Sequence, residues 1–145
     1  MRSIIAMCIV CLPLKSLTVT SPFGYRSHPL TGKLDYHTGI DFRANYDTVY
    51  AVLNGVVRSV DFTPNLGMAI NLQHGELNTI YGHLSKSLVA LKDTVIAGQP
   101  IAISGATGHV TAAHLHFSVR YQKRYLNPLN FLYQILKITD HEQKF

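Results

Sequence analysis

The sequence predicts a mainly β domain, with two packed layers of antiparallel strands and one short C-terminal helix. Short segments of alternating apolar and polar residues recur along most of the 145-residue chain, and turn residues separate them. Ten Gly, six Pro and eight Tyr, with no Trp, suit such a turn-rich β fold. The length supports a single domain. Hydrophobic residues make up 47% and charged residues 14% of the chain, a composition that excludes intrinsic disorder.

The first 16 residues form an apolar N-terminal segment that we interpret as a signal peptide or leader. Arg2 precedes an uncharged run from Ile4 to Leu14, which is the order found in short secretory signals. The run is too short for a spanning helix, which needs about 20 residues, so no stable membrane insertion is expected. A buried first strand is the alternative, because the segment has no clean cleavage site. Cys8 and Cys11 lack a second pair of ligands, so neither a metal site nor a redox centre is expected there.

Strands and turns then follow each other through the middle of the chain. Asn54-Gly55, between apolar runs at 49–53 and 56–60, is typical of a two-residue β-hairpin turn. Residues 93–97 and 100–104 predict a second hairpin-like unit. The remaining predicted elements are strands at 17–20, 68–73, 79–84 and 113–121, a turn at His74-Gly75, and loops at 23–36 and 105–112.

A helix is predicted only at the C-terminus. Asn127 is a capping residue, and Pro128 suits the first helical turn. We expect an apolar stripe of this helix to pack on the sheet. The domain is therefore predicted to span residues 17–137, followed by a polar tail at 138–145. The residues of the stripe are Leu129, Leu132, Tyr133 and Leu136.

The charge balance narrows the possible partners only slightly. Thirteen Lys and Arg against eight Asp and Glu give a net charge of +5. A basic surface favours polyanions such as nucleic acid, anionic lipid or the anionic polymers of a cell wall. The sequence has no basic run and no basic residues interleaved with aromatic ones, so nucleic acid is not an expected partner.

Two histidines lie two residues apart in the strand predicted at 113–121. His114 and His116 therefore point to the same face, whereas Leu115 and Phe117 point to the core. Two imidazoles on one face of a strand can bind a metal, although an isolated pair of this kind is more often exposed or hydrogen-bonded.

Two further motifs supply groups of the same kind. His37 and Asp41, four residues apart, are an imidazole and a carboxylate, which are both good zinc donors. His83 lies in another predicted strand. Each motif alone occurs often by chance. Together with the His-x-His pair they provide three metal ligands and two further histidines, the inventory of a catalytic zinc centre with an open position for water.

The motifs and their order resemble those of the lysostaphin-type zinc metallopeptidases, the M23 or LytM family. The resemblance covers about residues 17–131, nearly the whole chain. Thr111-Ala112-Ala113 departs from the family pattern, in which Gly or Pro is frequent before the last motif, and this affects the shape of the loop rather than the ligands. The four segments that carry the resemblance are Ser21-Pro22-Phe23-Gly24-Tyr25-Arg26-Ser27-His28-Pro29, His37-Thr38-Gly39-Ile40-Asp41, Tyr81-Gly82-His83-Leu84-Ser85 and His114-Leu115-His116-Phe117.

The resemblance implies a LytM, or duplicated-hybrid-motif, fold. It implies that His37, Asp41 and His116 bind one Zn²⁺ per chain and that His83 and His114 are catalytic. The implied activity is that of a zinc metalloendopeptidase that hydrolyses peptide bonds in the stems or cross-links of peptidoglycan. The expected partner is therefore a peptidoglycan peptide, and the expected location of an exported protein is the periplasm, the extracellular space or the cell wall.

Two alternatives keep a similar fold but change the function. A non-catalytic LytM module binds the cell wall and activates a separate amidase, and such modules typically lack some metal or catalytic residues. A phosphocarrier domain of sugar transport shares a related β architecture and uses histidine, but it has no need of Asp41. All five candidate residues are present in this sequence, which favours the peptidase, and zinc content separates it from the non-catalytic module.

Overall fold

The computed structural model describes residues 10–142, which form twelve strands and one helix. Every strand pair among them is antiparallel, so the prediction of a mainly antiparallel β fold with a short C-terminal helix is confirmed. The elements are β1 (Val19–Ser21), β2 (Gly24–Ser27), β3 (Leu34–His37), β4 (Ile40–Arg43), β5 (Thr48–Tyr50), β6 (Gly55–Thr63), β7 (Gly67–His74), β8 (Leu77–Ser87), β9 (Thr94–Val95), β10 (Pro100–Ser104), β11 (His114–Tyr121), β12 (Arg124–Leu126) and α1 (Pro128–Glu142).

One large sheet carries most of these strands. Seven of them follow the order β1-β4-β11-β8-β7-β6-β9, while β5, β10 and β12 join outside this path and β2 and β3 form a separate hairpin. Strand β8 pairs with β11 as far as Gly82 and with β10 from Leu84 onward. His83 lies at this change of partner, and its φ of 59° is in the left-handed region. A residue other than glycine is strained in that conformation, so the rest of the fold must hold the backbone of His83 in place.

The core lies beneath the strands that carry the candidate residues. Leu115, Phe117 and Val119 of β11 have no exposed surface, as expected for the core face. The ring of Phe117 contacts the rings of Phe42 and Tyr81, which are also fully buried. Full burial of a large apolar side chain contributes about 1.5–3 kcal/mol, so this packing holds β4, β8 and β11 firmly against one another.

The hairpins predicted at 49–60 and 93–104 are both wrong, because their strands take other partners. β5 pairs with β10, whereas β6 pairs with β7 and β9. The backbone carbonyl of Asn54 accepts a hydrogen bond from His74 Nδ1 at 2.6 Å. Gly55 permits close approach to β7, since a Cβ there would lie 2.5 Å from both a backbone carbonyl and the His74 ring. Asn54 and Gly55 thus serve contacts between segments distant in sequence rather than a two-residue turn.

The stretch predicted to be loop-rich at 23–36 contains the hairpin of β2 and β3. Tyr36 packs edge-to-face against Phe23 and Tyr25, with ring centroids 5.5 and 5.0 Å apart. Such aromatic pairs stabilise a two-stranded ribbon that has no other sheet partner. A second element that the sequence pattern did not indicate is β12, which extends the edge of β11.

Helix α1 starts at Pro128 as predicted, and Asn127 Oδ1 caps it by accepting the N–H of the second helical residue at 3.0 Å. Its packing face differs from the predicted stripe. Leu132 is buried, and Phe131 and Ile135 complete the face that packs against the core. The helix then continues to Glu142, into the segment predicted as a tail. The other three residues of the predicted stripe are exposed: Leu129, Tyr133 and Leu136.

The described part of the N-terminal segment packs against the sheet. Val10 and Leu14 are buried in the core, and the N–H of Cys11 donates to the carbonyl of Val52 at 2.9 Å. The first nine residues, which make up most of the predicted leader, lie outside the described part of the chain. Within residues 10–142, no helix has the length and apolar character needed to cross a bilayer.

Candidate metal centre

The structure brings all five candidate residues together at one place on the large sheet. His116 of β11 is paired with Asp41 of β4 on one side and with Gly82 of β8 on the other. His83 follows Gly82 directly, and His37 ends β3 just before β4 begins. Side chains that are opposite each other on neighbouring strands lie close enough to interact, so residues far apart in sequence share one site here.

Three buried side chains form a candidate metal site: His37, Asp41 and His116. Asp41 Oδ1 lies 3.3 Å from His37 Nε2 and 3.1 Å from His116 Nδ1, and the two nitrogens are 3.2 Å apart. Tetrahedral zinc with bonds of about 2.0–2.2 Å separates neighbouring ligand atoms by about 3.3–3.6 Å. The triangle of donor atoms therefore has nearly the size that Zn²⁺ requires.

Hydrogen bonds on the far side of each ring leave the ligand nitrogens free. His37 Nδ1 donates to the carbonyl of Pro22 at 2.9 Å, so its Nε2 keeps a lone pair. His116 Nε2 lies 2.9 Å from the hydroxyl of Ser118 and can donate to it, which leaves Nδ1 for a metal. Partners of this kind set the tautomer and orientation of a metal-binding histidine, so the donor set fits zinc in its chemistry as well as in its size.

The two remaining histidines lie beside this triangle. The rings of His83 and His114 have centroids 4.6 Å apart. His83 Nδ1 donates to the carbonyl of Thr107 at 2.8 Å, and His114 Nδ1 donates to the carbonyl of Ala112 at 2.9 Å. His114 Nε2 is 3.5 Å from Asp41 Oδ1. Both rings therefore leave Nε2 available for proton transfer or hydrogen bonding next to the candidate metal site.

The electrostatics of the cluster follow from one carboxylate surrounded by imidazoles. Burial by itself raises the pKa of Asp41, but the close contacts of its carboxylate with His114, His116 and His37 outweigh burial and hold the pKa far below the usual range. Burial lowers the pKa of His116. Burial also lowers the pKa of His83, to about 4, and the neighbouring histidines add to this effect. For His114, burial is outweighed by the hydrogen bond and charge of Asp41, so its pKa is raised.

Arg26 is a charged partner that sequence reasoning did not assign a role. Its Nη1 lies 3.3 Å from Asp41 Oδ2 and donates to Ser21 Oγ at 2.6 Å. Asp41 Oδ2 is thus neutralised on the side away from the triangle, while Oδ1 faces His37 and His116. Arg26 lies in the segment 21–29 that resembles the family. This position was the sequence signal that could have pointed to a role at the site.

The cluster lies at the bottom of an open cleft of about 810 Å³. The β2–β3 hairpin and the loop at 105–113 provide its walls, and the rings of His28 and His109 approach each other there with centroids 5.4 Å apart. His74 lies elsewhere, hydrogen-bonded between Asn54 and Thr79. The volume of the cleft lies within the range of about 300–1,000 Å³ that is usual for ligand-binding clefts, and the three residues of the triangle line the cleft.

The fold and the cluster together define a class, that of β-sheet domains with a candidate zinc site. Residues 35–128 match the sequence model of peptidase family M23, and the chain belongs to this family. This confirms the family that the sequence motifs indicated.

Three known proteins illustrate the similarity. The peptidoglycan DD-endopeptidase ShyB of Vibrio cholerae is 36% identical over 129 residues, which cover 87% of this chain and 30% of that protein. A zinc-containing peptidase from Vibrio cholerae has a solved structure with a TM-score of 0.74 and 38% identity, over 79% of this chain and 37% of that chain. The catalytic domain of lysostaphin from Staphylococcus simulans has a TM-score of 0.74 and 31% identity, over 80% of this chain and 92% of that chain.

The matched curated relatives are considerably longer than this chain. The chain covers 24% of the length of a metalloprotease from Haemophilus influenzae and 31% of an endopeptidase from Neisseria meningitidis. It therefore spans about a quarter to a third of their length.

Proposed function

We propose that this chain is a zinc metalloendopeptidase that hydrolyses peptide bonds in the stems or cross-links of peptidoglycan. The observation that carries the proposal is the triangle of His37, Asp41 and His116 in an open cleft, with His83 and His114 beside it. Membership of family M23 supports the reaction class. The relatives named as peptidoglycan DD-endopeptidases support the substrate class.

The role of each residue in the cluster follows from the nitrogen or oxygen atom that it presents to the site. His37 Nε2, Asp41 Oδ1 and His116 Nδ1 would hold one Zn²⁺, and Arg26 orients the carboxylate through its other oxygen. When bound, zinc lowers the pKa of a water ligand and polarises a carbonyl oxygen. His83 and His114 present Nε2 to the same space, where an unprotonated Nε2 accepts a proton and, once protonated, donates a hydrogen bond to the oxygen that gains charge.

The proposed setting is outside the cytoplasm, in the periplasm, the extracellular space or the cell wall. A net charge of +5 suits an anionic wall, although attraction of this size is modest. We propose a peptidase domain at 17–137, a leader at 1–16, whose buried Val10 and Leu14 contact the domain, and a polar C-terminal segment at 138–145, which begins within α1. A non-catalytic module is disfavoured because all five groups converge in the cleft.

The test combines zinc content with turnover of defined muropeptides, with the products identified by mass spectrometry. We expect His116→Ala to lose most of its zinc, because two ligands hold the metal poorly. We expect His83→Ala and His114→Ala to keep zinc and to lose about 10²–10⁴-fold in turnover. His74→Gln, which changes a histidine outside the cleft, is the matched control for both measurements.

Different outcomes would overturn different parts of the proposal. Equal zinc in His116→Ala and the wild type, by elemental analysis, would refute the ligand set. Loss of zinc from His83→Ala or His114→Ala would refute the division into ligands and catalytic residues. A wild-type protein that holds zinc but cleaves no muropeptide would refute the substrate class.

A further inference from the structure

The loop at 105–113 lies in close contact with the backbone at the start of β7. Thr107 is the loop residue at this contact. Gly67 and Gly108 both have left-handed φ values, of 60° and 82°. A Cβ on Gly67 would overlap the backbone and hydroxyl of Thr107, and a Cβ on Gly108 would overlap the backbone of Gly67. Two glycines therefore allow the loop to lie directly on the strand, which fixes the position of Thr107.

The hydroxyl of Thr107 joins this loop to two strands of the sheet. It donates to the carbonyl of Leu84 on β8 at 2.7 Å and accepts the N–H of Met68 on β7 at 3.1 Å. Met68 and Leu84 are paired across the two strands at the point where their register shifts. The hydroxyl of Thr107 thus uses its O–H and one of its two lone pairs on backbone groups of β8 and β7, at an irregularity in the sheet.

The carbonyl of the same residue holds the ring of His83. It accepts the hydrogen bond from His83 Nδ1 at 2.8 Å. The backbone of His83 is strained, with a φ of 59°, and its N–H donates to the carbonyl of Leu66 at 2.7 Å. A carbonyl oxygen can only accept, so this contact requires the proton of the neutral ring to be on Nδ1 and the lone pair to be on Nε2.

We propose that Thr107 is a positioning residue for His83. Its hydroxyl fixes the loop on the sheet, its carbonyl then fixes the tautomer and orientation of the imidazole, and the unprotonated Nε2 is thereby directed to the cleft. The proposal deepens the proposed function, since it explains how one histidine keeps the atom that proton transfer needs. A purely structural Thr107 would stabilise the loop without affecting the tautomer of His83.

The test compares Thr107→Val, which keeps the shape of the side chain but removes the hydroxyl, with Thr107→Ser, which retains it. Thr94→Val, at an exposed threonine of the edge strand β9, is the matched control. Full-length protein labelled with ¹⁵N in its histidines gives the tautomer of each ring by NMR, and the signals that disappear in His83→Ala identify His83. Zinc content, melting temperature, kcat and KM are measured on the same samples.

We expect wild type, Thr107→Ser and Thr94→Val to show His83 protonated at Nδ1. In Thr107→Val we expect a mixture of the two tautomers, unchanged zinc, a similar KM and a kcat lower by about 10-fold, a part of the 10²–10⁴-fold that an acid or base group supplies. Recovery of the single tautomer and of kcat in Thr107→Ser separates positioning from a general loss of stability.

Two results would overturn the proposal. One is a Thr107→Val protein that melts at a lower temperature but keeps the Nδ1–H tautomer and the wild-type kcat. The other is an Nε2–H tautomer for His83 in the wild type, which decides the matter even if Thr107→Val does not fold. The NMR measurement needs no substrate, so a failure of the proposed function, seen as absent muropeptide cleavage, remains distinguishable from a failure of this inference.

Discussion

Replacement of Gly39 by alanine tests the geometry of the metal centre most directly. A Cβ at this position would lie 2.5 Å from Ser118 Oγ, 2.6 Å from the carbonyl oxygen of Phe117 and 2.7 Å from His116 Cε1. Ordinary contact begins at 3.4 Å, so relief of the last overlap requires a shift of about 3.4 − 2.7 = 0.7 Å between Gly39 and the His116 ring. Metal–ligand distances vary by only about 0.2 Å, so this shift moves Nδ1 out of ligand range.

The expected result is a protein that folds but binds zinc poorly. Gly39 is not among the glycines with a left-handed φ, so the effect of the new methyl group is steric. We expect the zinc affinity to fall about 10–100-fold, as for other changes that displace a ligand through its neighbours. Overpacking also lowers the free energy of unfolding, by about 1–3 kcal/mol. Competition with a chromophoric chelator measures the affinity, and urea unfolding of the metal-free protein measures the stability.

Gly82→Ala is the control, because Gly82 faces the same histidine from the other side. Its Cβ would lie 3.4 Å from His116 Cβ, an ordinary contact, and 3.1 Å from Leu66 Cδ2, the end of a flexible side chain. We therefore expect Gly82→Ala to bind zinc nearly as the wild type does. Wild-type affinity in Gly39→Ala, or an equal loss in both variants, would refute the reasoning from ligand distances.

Two further predictions concern stability away from the cleft. Burial lowers the pKa of His74, so the folded state favours the neutral ring. The resulting contribution to the free energy of unfolding is complete above the ordinary pKa of 6.5 and is lost as the pH falls below that value. His74→Gln should therefore lose less stability than the wild type between pH 7 and pH 5 in urea titrations, and parallel pH profiles would contradict this. Tyr81→Phe removes a fully buried hydroxyl that accepts the N–H of Val52 at 3.1 Å, so it should cost about 1–3 kcal/mol. The exposed Tyr121→Phe should cost less in the same urea measurement, and the reverse order would show that the buried hydroxyl is not needed.

The sequence pattern predicted strands better than it predicted their partners. Alternation of apolar and polar residues identified β7, β8 and β11, because a strand with one apolar face carries this signal in its own sequence. Pairing between strands that are distant in sequence, such as β5 with β10, carries no local signal, and the Asn54-Gly55 pattern therefore suggested a hairpin that does not form. The predicted packing face of α1 was wrong for a similar reason. Phe131 and Leu129 are both apolar, and only the position of the sheet decides which of them packs against the core.

The five candidate residues could be found from motifs, whereas their supporting contacts could not. Imidazoles and a carboxylate at family-like spacing are visible in a sequence, and the structure brings them into one cluster. The carbonyls of Pro22, Thr107 and Ala112, which hold three of the rings, are backbone groups that every residue type carries, so the contacts give no direct signal in the sequence. Backbone acceptors of this kind follow from tertiary structure alone.

The metal centre and the hydrophobic core depend on the same strand register. In β11, His116 faces the cleft while Leu115 and Phe117 are fully buried on the other face. A slip of one residue against β4 would place Phe117 opposite Asp41 and turn His116 toward the core. Such a slip would expose large apolar side chains and bury an unpartnered imidazole, both of which are costly. The packing of the core therefore holds the ligand atoms in place before any metal binds, and the alternation that first identified the strand also positions its histidine.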